Sequence, residues 1–135
     1  RLSCRPTRSS GERRLNMSVS RQRLGKLGEE AAAKYLQEHG YLIIERNWRC
    51  RSGEIDIIAR KQEQIVFVEV RTRASKSFGT PQESVTPRKQ RQVRQTASIY
   101  LYQHRIADAP LRFDLISIQL MDDGTWDIQH LPAAF

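Results

Sequence analysis

The chain has few of the cysteine and histidine residues that stabilise small folds through disulfides or bound zinc. Its 135 residues include two cysteines, Cys4 and Cys50, which form neither a C-x-x-C pattern nor a metal-ligand spacing. A disulfide scaffold and a cysteine-based zinc module are therefore excluded, and we expect both thiols to be free in a reducing cytoplasm. The three histidines, His39, His104 and His130, are scattered along the chain and show no ligand spacing either.

Long apolar runs are also missing. No run approaches the roughly 18 residues that a transmembrane helix needs, and the N-terminal segment lacks the apolar centre of a secretory signal. The hydrophobic fraction of 39% and the charged fraction of 28% are ordinary for a soluble globular protein. We therefore expect no membrane association, and a chain of this length is large enough for one domain with a real core.

Acidic residues are scarce near the N-terminus. Residues 1–26 contain eight Lys or Arg and one Glu, and so carry +7 of the formal net charge of +8. Residues 1–19 have no hydrophobic period, which predicts a disordered basic extension ahead of a single domain over residues 20–135. Their Arg- and Ser-rich composition resembles an organellar transit peptide. Because Met17 stands just before the periodic pattern begins, a native start at that residue is the simpler interpretation.

A second basic cluster lies inside the predicted domain. Residues 71–94 contain seven Lys or Arg and one acid, Glu83. This charge favours a polyanionic partner, with a solvated basic face as the alternative. Part of the cluster falls in the first turns of a predicted helix, where cations oppose the helix dipole. A docked polyanion would relieve that conflict. The cations concerned are Arg88, Lys89, Arg91 and Arg94.

The hydrophobic pattern alternates between helical and strand periods. It predicts a helix from Ser20 to His39 with Ser20 as N-cap, strands from Tyr41 to about Trp48, Glu54 to Ala59 and Gln64 to Arg73, a helix that begins with Thr86 and Pro87, and strands from Leu111 to Leu120 and Trp126 to Leu131. We therefore predict an α/β fold with the order α-β-β-β-α-β and a short C-terminal edge strand.

The predicted strand Gln64–Arg73 places a carboxylate inside an apolar run. Because side chains alternate in a strand, Glu69 shares one face with Ile65, Phe67 and Arg71. Burying even a neutral polar group costs on the order of 2–7 kcal/mol, and an ionised one costs more unless it is paired. Two interpretations follow. Glu69 either forms a structural ion pair with Arg71, or binds a metal next to that cation.

A second carboxylate is predicted to lie beside Glu69. A tight turn over residues 61–63 makes an antiparallel hairpin of the two neighbouring strands, so Asp56 and Glu69 lie on adjacent strands. If both face the same side, their repulsion disfavours the arrangement unless a cation lies between them. Strand alternation predicts that Ile55, Ile57 and Ala59 share one face, and that Glu54, Asp56 and Ile58 share the other.

These motifs, in their order, resemble a known family. They are Gly25-x-x-Gly28-Glu29, Gly53-Glu54-Ile55-Asp56, Phe67-Val68-Glu69-Val70-Arg71, Ser84-Val85-Thr86 with Lys89-Gln90, and Arg112-Phe113-Asp114. The chain resembles, over roughly residues 24–135, the YraN-type family of the restriction-endonuclease-like, or PD-(D/E)xK, superfamily. That family is similar to archaeal Holliday-junction resolvases. The resemblance implies a three-layer α/β/α core with a mixed sheet.

The resemblance also implies a function. It implies a structure-selective DNA endonuclease that hydrolyses phosphodiester bonds in branched DNA during repair or recombination. Glu29, Asp56 and Glu69 would bind Mg²⁺ or Mn²⁺. Glu54 shares the predicted face of Asp56 and is either an auxiliary ligand or an exposed strand acid. A homodimer is expected by analogy with such resolvases. The implied nucleic-acid contacts are Arg73, Lys76, Arg88, Lys89, Gln90 and Arg91.

Arg71 departs from the superfamily pattern, which has a lysine two residues after the Glu. Arginine cannot act as a general base because its pKa exceeds roughly 12, although it can bind phosphate and stabilise developing negative charge. Arg71 therefore supports a second hypothesis, in which the protein has the same fold and binds nucleic acid but does not cleave it. The basic N-terminal extension suggests a third, a protein-interaction scaffold.

Overall fold

The computed structural model describes residues 20–73 and 85–135. These residues form helix α1 (Arg21–Glu38), strands β1 (Leu42–Cys50), β2 (Gly53–Lys61) and β3 (Gln64–Arg73), helix α2 (Pro87–Gln103), and strands β4 (Leu111–Leu120) and β5 (Trp126–Leu131). The predicted disordered extension and the predicted contact residue Lys76 lie outside the described residues. In the two described segments, neither helix combines the length and apolarity needed to cross a bilayer.

The five strands form one mixed sheet. Their spatial order is β1-β2-β3-β4-β5, and every neighbouring pair is antiparallel except β3 and β4, which are parallel. A parallel pair needs a crossover connection, and α2 lies between β3 and β4 in the chain to supply it. The predicted α/β class, element order and mixed sheet are confirmed.

Both helices begin at the predicted caps. The side-chain oxygens of Ser20 and Thr86 each accept a hydrogen bond, 3.1 Å long, from the backbone N–H three residues later. Pro87 follows at the first helical position, where its missing N–H costs nothing. The helix α1 ends just before Gly40, whose φ of 89° is unfavourable for residues with a side chain. Local chemistry therefore determines where each helix starts and where α1 stops.

The helices cover opposite faces of the sheet, which gives three layers. On one face, Ala32 and Leu36 of α1 pack with Val66 and Val68 of β3. On the other face, the apolar side of α2 contacts the sheet through Val93, Ala97 and Tyr100, against Ile58, Phe67 and Phe113. Central strand β3 therefore contributes side chains to both cores, as its near-continuous apolar sequence requires.

The Arg112-Phe113-Asp114 motif ties the C-terminal strand to the body of the domain. Asp114 is fully buried, and its Oδ2 lies 2.8 Å from Arg112 Nη2 and 2.7 Å from His130 Nε2. Burial raises the pKa of Asp114, but the hydrogen bonds from His130 and Arg112 outweigh it and hold this pKa below its ordinary value. Tyr35 of α1 joins the network through His130 Nδ1, 3.2 Å away.

Two details of the β1–β2 hairpin differ from prediction. The sequence predicted that one strand ends at about Trp48 and the next begins at Glu54, but β1 continues to Cys50 and β2 begins at Gly53, so only two residues form the turn. The predicted face of Ile55 is also wrong: Ile57 and Ala59 pack on the α1 side, whereas Ile55 packs on the α2 side. The alternation fails because the β2–β3 ladder ends at Ile57, so the backbone before it no longer follows one regular pleat.

Gly28 allows α1 to approach β3. A methyl group at this buried position would collide with Thr72 Oγ1 and lie 2.8 Å from Thr72 Cγ2. We therefore predict that Gly28→Ala lowers the free energy of unfolding by about 1–3 kcal/mol, because overpacking outweighs the better helix propensity of alanine. Chemical denaturation measures this change.

Gly25, one turn earlier in α1, supplies the matched control. A methyl group there would meet no described atom within 4 Å. Gly25→Ala should therefore stabilise the protein by about 0.5–1 kcal/mol. Equal effects of the two substitutions would contradict the close approach at Gly28.

Candidate active site

Asp56 and Glu69 come together where the β2–β3 ladder stops. The ladder runs from Lys61 opposite Gln64 to Ile57 opposite Val68. One residue further on, Asp56 Oδ2 accepts a hydrogen bond from the backbone N–H of Val70, 2.8 Å away. The side chain of Asp56 thus takes the place of a ladder partner. The predicted meeting of the two acids, called the carboxylate pair below, is what this geometry produces.

The carboxylate pair sits in surroundings that disfavour two negative charges. Glu69 is 5% exposed. Burial and the adjacent Glu69 raise the pKa of Asp56 to about 8, against a lowering effect of the Val70 hydrogen bond. Burial also raises the pKa of Glu69, although Lys89, Arg71 and a hydrogen bond with Asp56 act in the opposite direction. Near neutral pH the pair therefore holds a proton, or a cation in its place.

Two cations flank Glu69 from different elements. Arg71 of β3 places its guanidinium 3.4 Å from Glu69 Oε2, and Lys89 of α2 places its ammonium 3.8 Å from the same oxygen. The structural ion pair of Glu69 and Arg71 therefore exists, and both cations contact Glu69 rather than Asp56. The resemblance implied that Lys89 either contacts the nucleic-acid backbone or supports the site, and its contact with Glu69, twenty positions away in the sequence, favours the second role. The first turn of α2 brings them together.

The Arg71 side chain has unused donor capacity. Its Nε is buried and has no hydrogen-bond acceptor among residues 20–73 and 85–135. A buried donor without a partner costs about 1–3 kcal/mol, and an anionic oxygen would remove that cost. A cavity of about 510 Å³ adjoins this residue, lined by Arg21, Leu24, Gly25, Val70, Arg71 and Thr72. Arg71 lines this cavity and its side chain is 37% exposed, so an anionic group in the cavity can reach part of the side chain, although Nε itself is buried.

The predicted acids Glu29 and Glu54 lie around the carboxylate pair but are held by other partners. Asn47 of β1 donates its amide to Glu29 at 3.0 Å and to Glu54 at 3.2 Å. Their charges still reach the pair, because both raise the pKa of Asp56. Asn47 has a φ of 52°, a left-handed conformation that asparagine tolerates better than most residues. Sequence reasoning missed it; an Asn inside a strand pattern was the available signal.

The remaining predicted contacts fall into two groups. Arg88 and Arg91 of α2 are exposed, whereas Arg73 at the end of β3 is half-buried. Gln90 donates its amide to the backbone oxygen of Val85 at 3.1 Å, so it closes the start of α2 rather than extending into solvent. Of these predicted contacts, Arg88 and Arg91 are the ones whose charge a large partner could reach without rearrangement of the protein.

The carboxylate pair fits a hard divalent cation. Within the described segments, no group of three Asp, Glu, His or Cys side chains is arranged to hold a metal, so Glu29 is not brought into one cluster with Asp56 and Glu69. Mg²⁺ does not require three protein ligands, because it commonly keeps several waters and takes one or two carboxylates plus substrate phosphates. The oxygen donors of Asp56 and Glu69 match that preference.

The fold and site define an α/β protein in which a buried pair of acids, flanked by two cations, lies where the pairing of β2 with β3 ends. Residues 28–118 match the model of the Uncharacterised protein family UPF0102. Similar chains include the UPF0102 protein of Moorella thermoacetica, 51% identical over 77% of this chain and 87% of that protein. That of Geobacter metallireducens is 50% identical over 88% and 97%. The chain belongs to the UPF0102 family.

A comparison with solved structures finds a weaker likeness. The structure of Pyrococcus furiosus SfsA in complex with Ca²⁺ aligns with a TM-score of 0.40 and 12% identity. The alignment covers 84% of this chain and 64% of that one.

The shifted pKa of Asp56 predicts how stability depends on pH in the metal-free protein. In the folded state this pKa is about 8, against an ordinary value of 3.8, so between these limits the folded state binds more protons than the unfolded state. The free energy of unfolding should therefore fall as the pH rises from about 4 to about 8. Urea titrations in EDTA at several pH values measure this.

Asp56→Asn should make that pH dependence shallower and raise stability near pH 8, because it removes the charge that must otherwise be buried. Glu63→Gln, in the exposed β2–β3 turn, is the matched control and should leave the dependence unchanged. An unchanged slope in Asp56→Asn would contradict the assigned environment of Asp56.

Proposed function

We propose that this protein is a metal-dependent, structure-selective DNA endonuclease of the restriction-endonuclease-like superfamily. The observation that carries the proposal is the buried pair of Asp56 and Glu69 beside Arg71 and Lys89. A pair of acids that cannot both ionise alone, next to cations that can hold a phosphate, has the composition of a phosphodiester-hydrolysing site. The α-β-β-β-α-β order of the core supports the same superfamily.

The roles of the residues follow from their positions. Asp56 and Glu69 would hold Mg²⁺ or Mn²⁺, which when bound would polarise the scissile phosphate and favour deprotonation of the attacking water. Arg71, whose side chain is partly exposed beside Glu69, would bind a phosphate oxygen through its guanidinium. The Val70 N–H fixes one oxygen of Asp56 and so orients that carboxylate. Glu29 and Glu54, both hydrogen-bonded to Asn47, add negative charge around the pair without entering it.

Lys89 supplies the lysine that the strand motif lacks. The superfamily pattern puts a lysine where this chain has Arg71, but here the ammonium of α2 reaches the same Glu69 oxygen. A lysine near the scissile phosphate can stabilise the charge that develops in the transition state. Its presence favours cleavage over binding alone, which was the alternative that Arg71 suggested.

The substrate is proposed from the charge of α2. Arg88 and Arg91 project from the helix whose first turn reaches the carboxylate pair. A DNA backbone lying along α2 would neutralise them and release counterions. A branched substrate with two-fold symmetry would be served by a homodimer that presents two such sites. Repair or recombination is the setting in which such substrates arise.

A second candidate is nucleic-acid binding without cleavage. Arg71 favours it, because no general base occupies that strand position. The two candidates differ in whether the carboxylate pair binds a cation and supports turnover.

We predict that Asp56→Asn and Glu69→Gln each weaken Mn²⁺ binding by roughly tenfold or more, because each removes one anionic ligand. Both variants should lose metal-dependent nicking of a four-way DNA junction. Isothermal titration with Mn²⁺ and a gel assay of junction cleavage measure the two effects, and Glu63→Gln is the control for loss of a distant acid. Metal binding without cleavage by the wild type would favour the second candidate. Wild-type Mn²⁺ affinity in both variants would overturn the site.

Lys89 gives a separate prediction. Lys89→Gln should slow single-turnover cleavage by roughly tenfold or more, since it removes a cation from the site of charge development. Arg88→Gln, at the neighbouring exposed position, should weaken DNA binding and lower the salt dependence while leaving the single-turnover rate at saturating protein unchanged. If the two substitutions act alike on the rate, Lys89 has no role beyond binding.

A further inference from the structure

Helix α2 carries an exposed aromatic side chain at the end remote from the carboxylate pair. Tyr102 is 85% exposed, the highest value among the large apolar and aromatic residues that are exposed in the described segments. A tyrosine ring in water gains nothing from packing, and aromatic side chains in such positions commonly serve as contact surfaces.

Tyr102 lies on the outermost line of α2. Side chains three and four positions apart share one face of a helix, and five exposed positions recur at this spacing: Arg88, Arg91, Gln95, Ser98 and Tyr102. We call this line the outer stripe. The buried residues Val93, Ala97 and Tyr100 lie on the opposite side of the helix, against the sheet. The outer stripe therefore projects directly away from the body of the domain.

The chemistry of the outer stripe changes along its length. It begins with two guanidinium groups, continues with the uncharged polar side chains of Gln95 and Ser98, and ends with the ring of Tyr102. The whole of α2 contains no Asp or Glu. A surface with cations at one end, no acid to repel a phosphate, and an aromatic face at the other is suited to a nucleic-acid strand.

The outer stripe starts in the turn of α2 that contacts the carboxylate pair. Lys89, next to Arg88, places its ammonium 3.8 Å from Glu69 Oε2. From Arg88 to Tyr102 the helix rises by about 21 Å at 1.5 Å per residue. That distance corresponds to about six base steps of a stacked strand at 3.4 Å each. A strand that passes the acids would therefore reach Tyr102 after about six nucleotides.

We infer that Tyr102 stacks on an unpaired base of DNA bound along the outer stripe. Bases inside a duplex already stack on their neighbours, so an exposed tyrosine ring can stack on a base only where a strand is single or branched. Tyr102 would then be the residue that makes the protein selective for structure. This inference rests on the proposed function for its direction along α2, whereas the stacking itself requires neither metal nor cleavage.

The experiment measures binding in EDTA, so that cleavage does not enter. Fluorescence anisotropy with a labelled oligo-dT strand of about 20 nucleotides, longer than the outer stripe, should show Tyr102→Ala binding roughly 5- to 150-fold more weakly than wild type. Affinity for a duplex of equal length should change by less than about twofold, because its bases offer Tyr102 no free face. Tyr102→Phe should restore single-strand binding, since it keeps the ring.

The controls separate stacking from charge and from folding. Gln103→Ala changes the adjacent exposed residue, which lies off the outer stripe, and should bind both probes as wild type does. Arg91→Gln should weaken binding to both probes and lower the salt slope by about 0.7–0.9.

Equal single-strand affinity of Tyr102→Ala and wild type would overturn the inference, as would an equal loss on duplex. A selective loss of single-strand binding in a protein whose Asp56→Asn variant binds Mn²⁺ normally would support Tyr102 and reject the proposed metal site.

Discussion

The structure depends on two carboxylates placed where one β-ladder stops. Asp56 lies just beyond the regular pairing with β3, and its side chain accepts a hydrogen bond from the backbone of Val70. This places its carboxylate close to that of Glu69, where both are largely shielded from solvent. Such a pair is stable only with a shared proton or a cation. Within residues 20–73 and 85–135, Arg71 and Lys89 both contact Glu69. Asp56 instead accepts the hydrogen bond from Val70, so the positive charge lies on the Glu69 side of the pair.

Helix α2 combines three tasks because its three surfaces have different compositions. Its apolar side packs on the sheet through residues such as Val93 and Tyr100. Its first turn delivers Lys89 to Glu69. Its outer stripe carries two arginines, two uncharged polar side chains and one aromatic ring. Four cations in the first half of a helix are unfavourable for the helix dipole, and packing of the apolar side holds the helix in place despite that cost.

Most of the architecture followed from local patterns. The limits of β3 and β4 agree with the sequence prediction, because each is a strongly apolar run bounded by polar residues. The caps of both helices agree as well, since a cap depends on residues three positions apart. The face of Ile55 was predicted wrongly because period-two reasoning assumes an unbroken ladder, and the ladder breaks at Asp56. Asn47 was missed because its partners lie on two other elements.

The sequence by itself determined the elements, their order, and the identity of the acids on β2 and β3, since these depend on short-range periodicity and on the cost of burying charge. The predicted hairpin also placed Asp56 beside Glu69, but only the tertiary structure decided which further residues join them. It placed Lys89 against Glu69, and it left Glu29 bonded to Asn47 outside that pair. The reason is that contacts between side chains on different elements depend on crossover geometry and on where pairing ends, which no local pattern encodes.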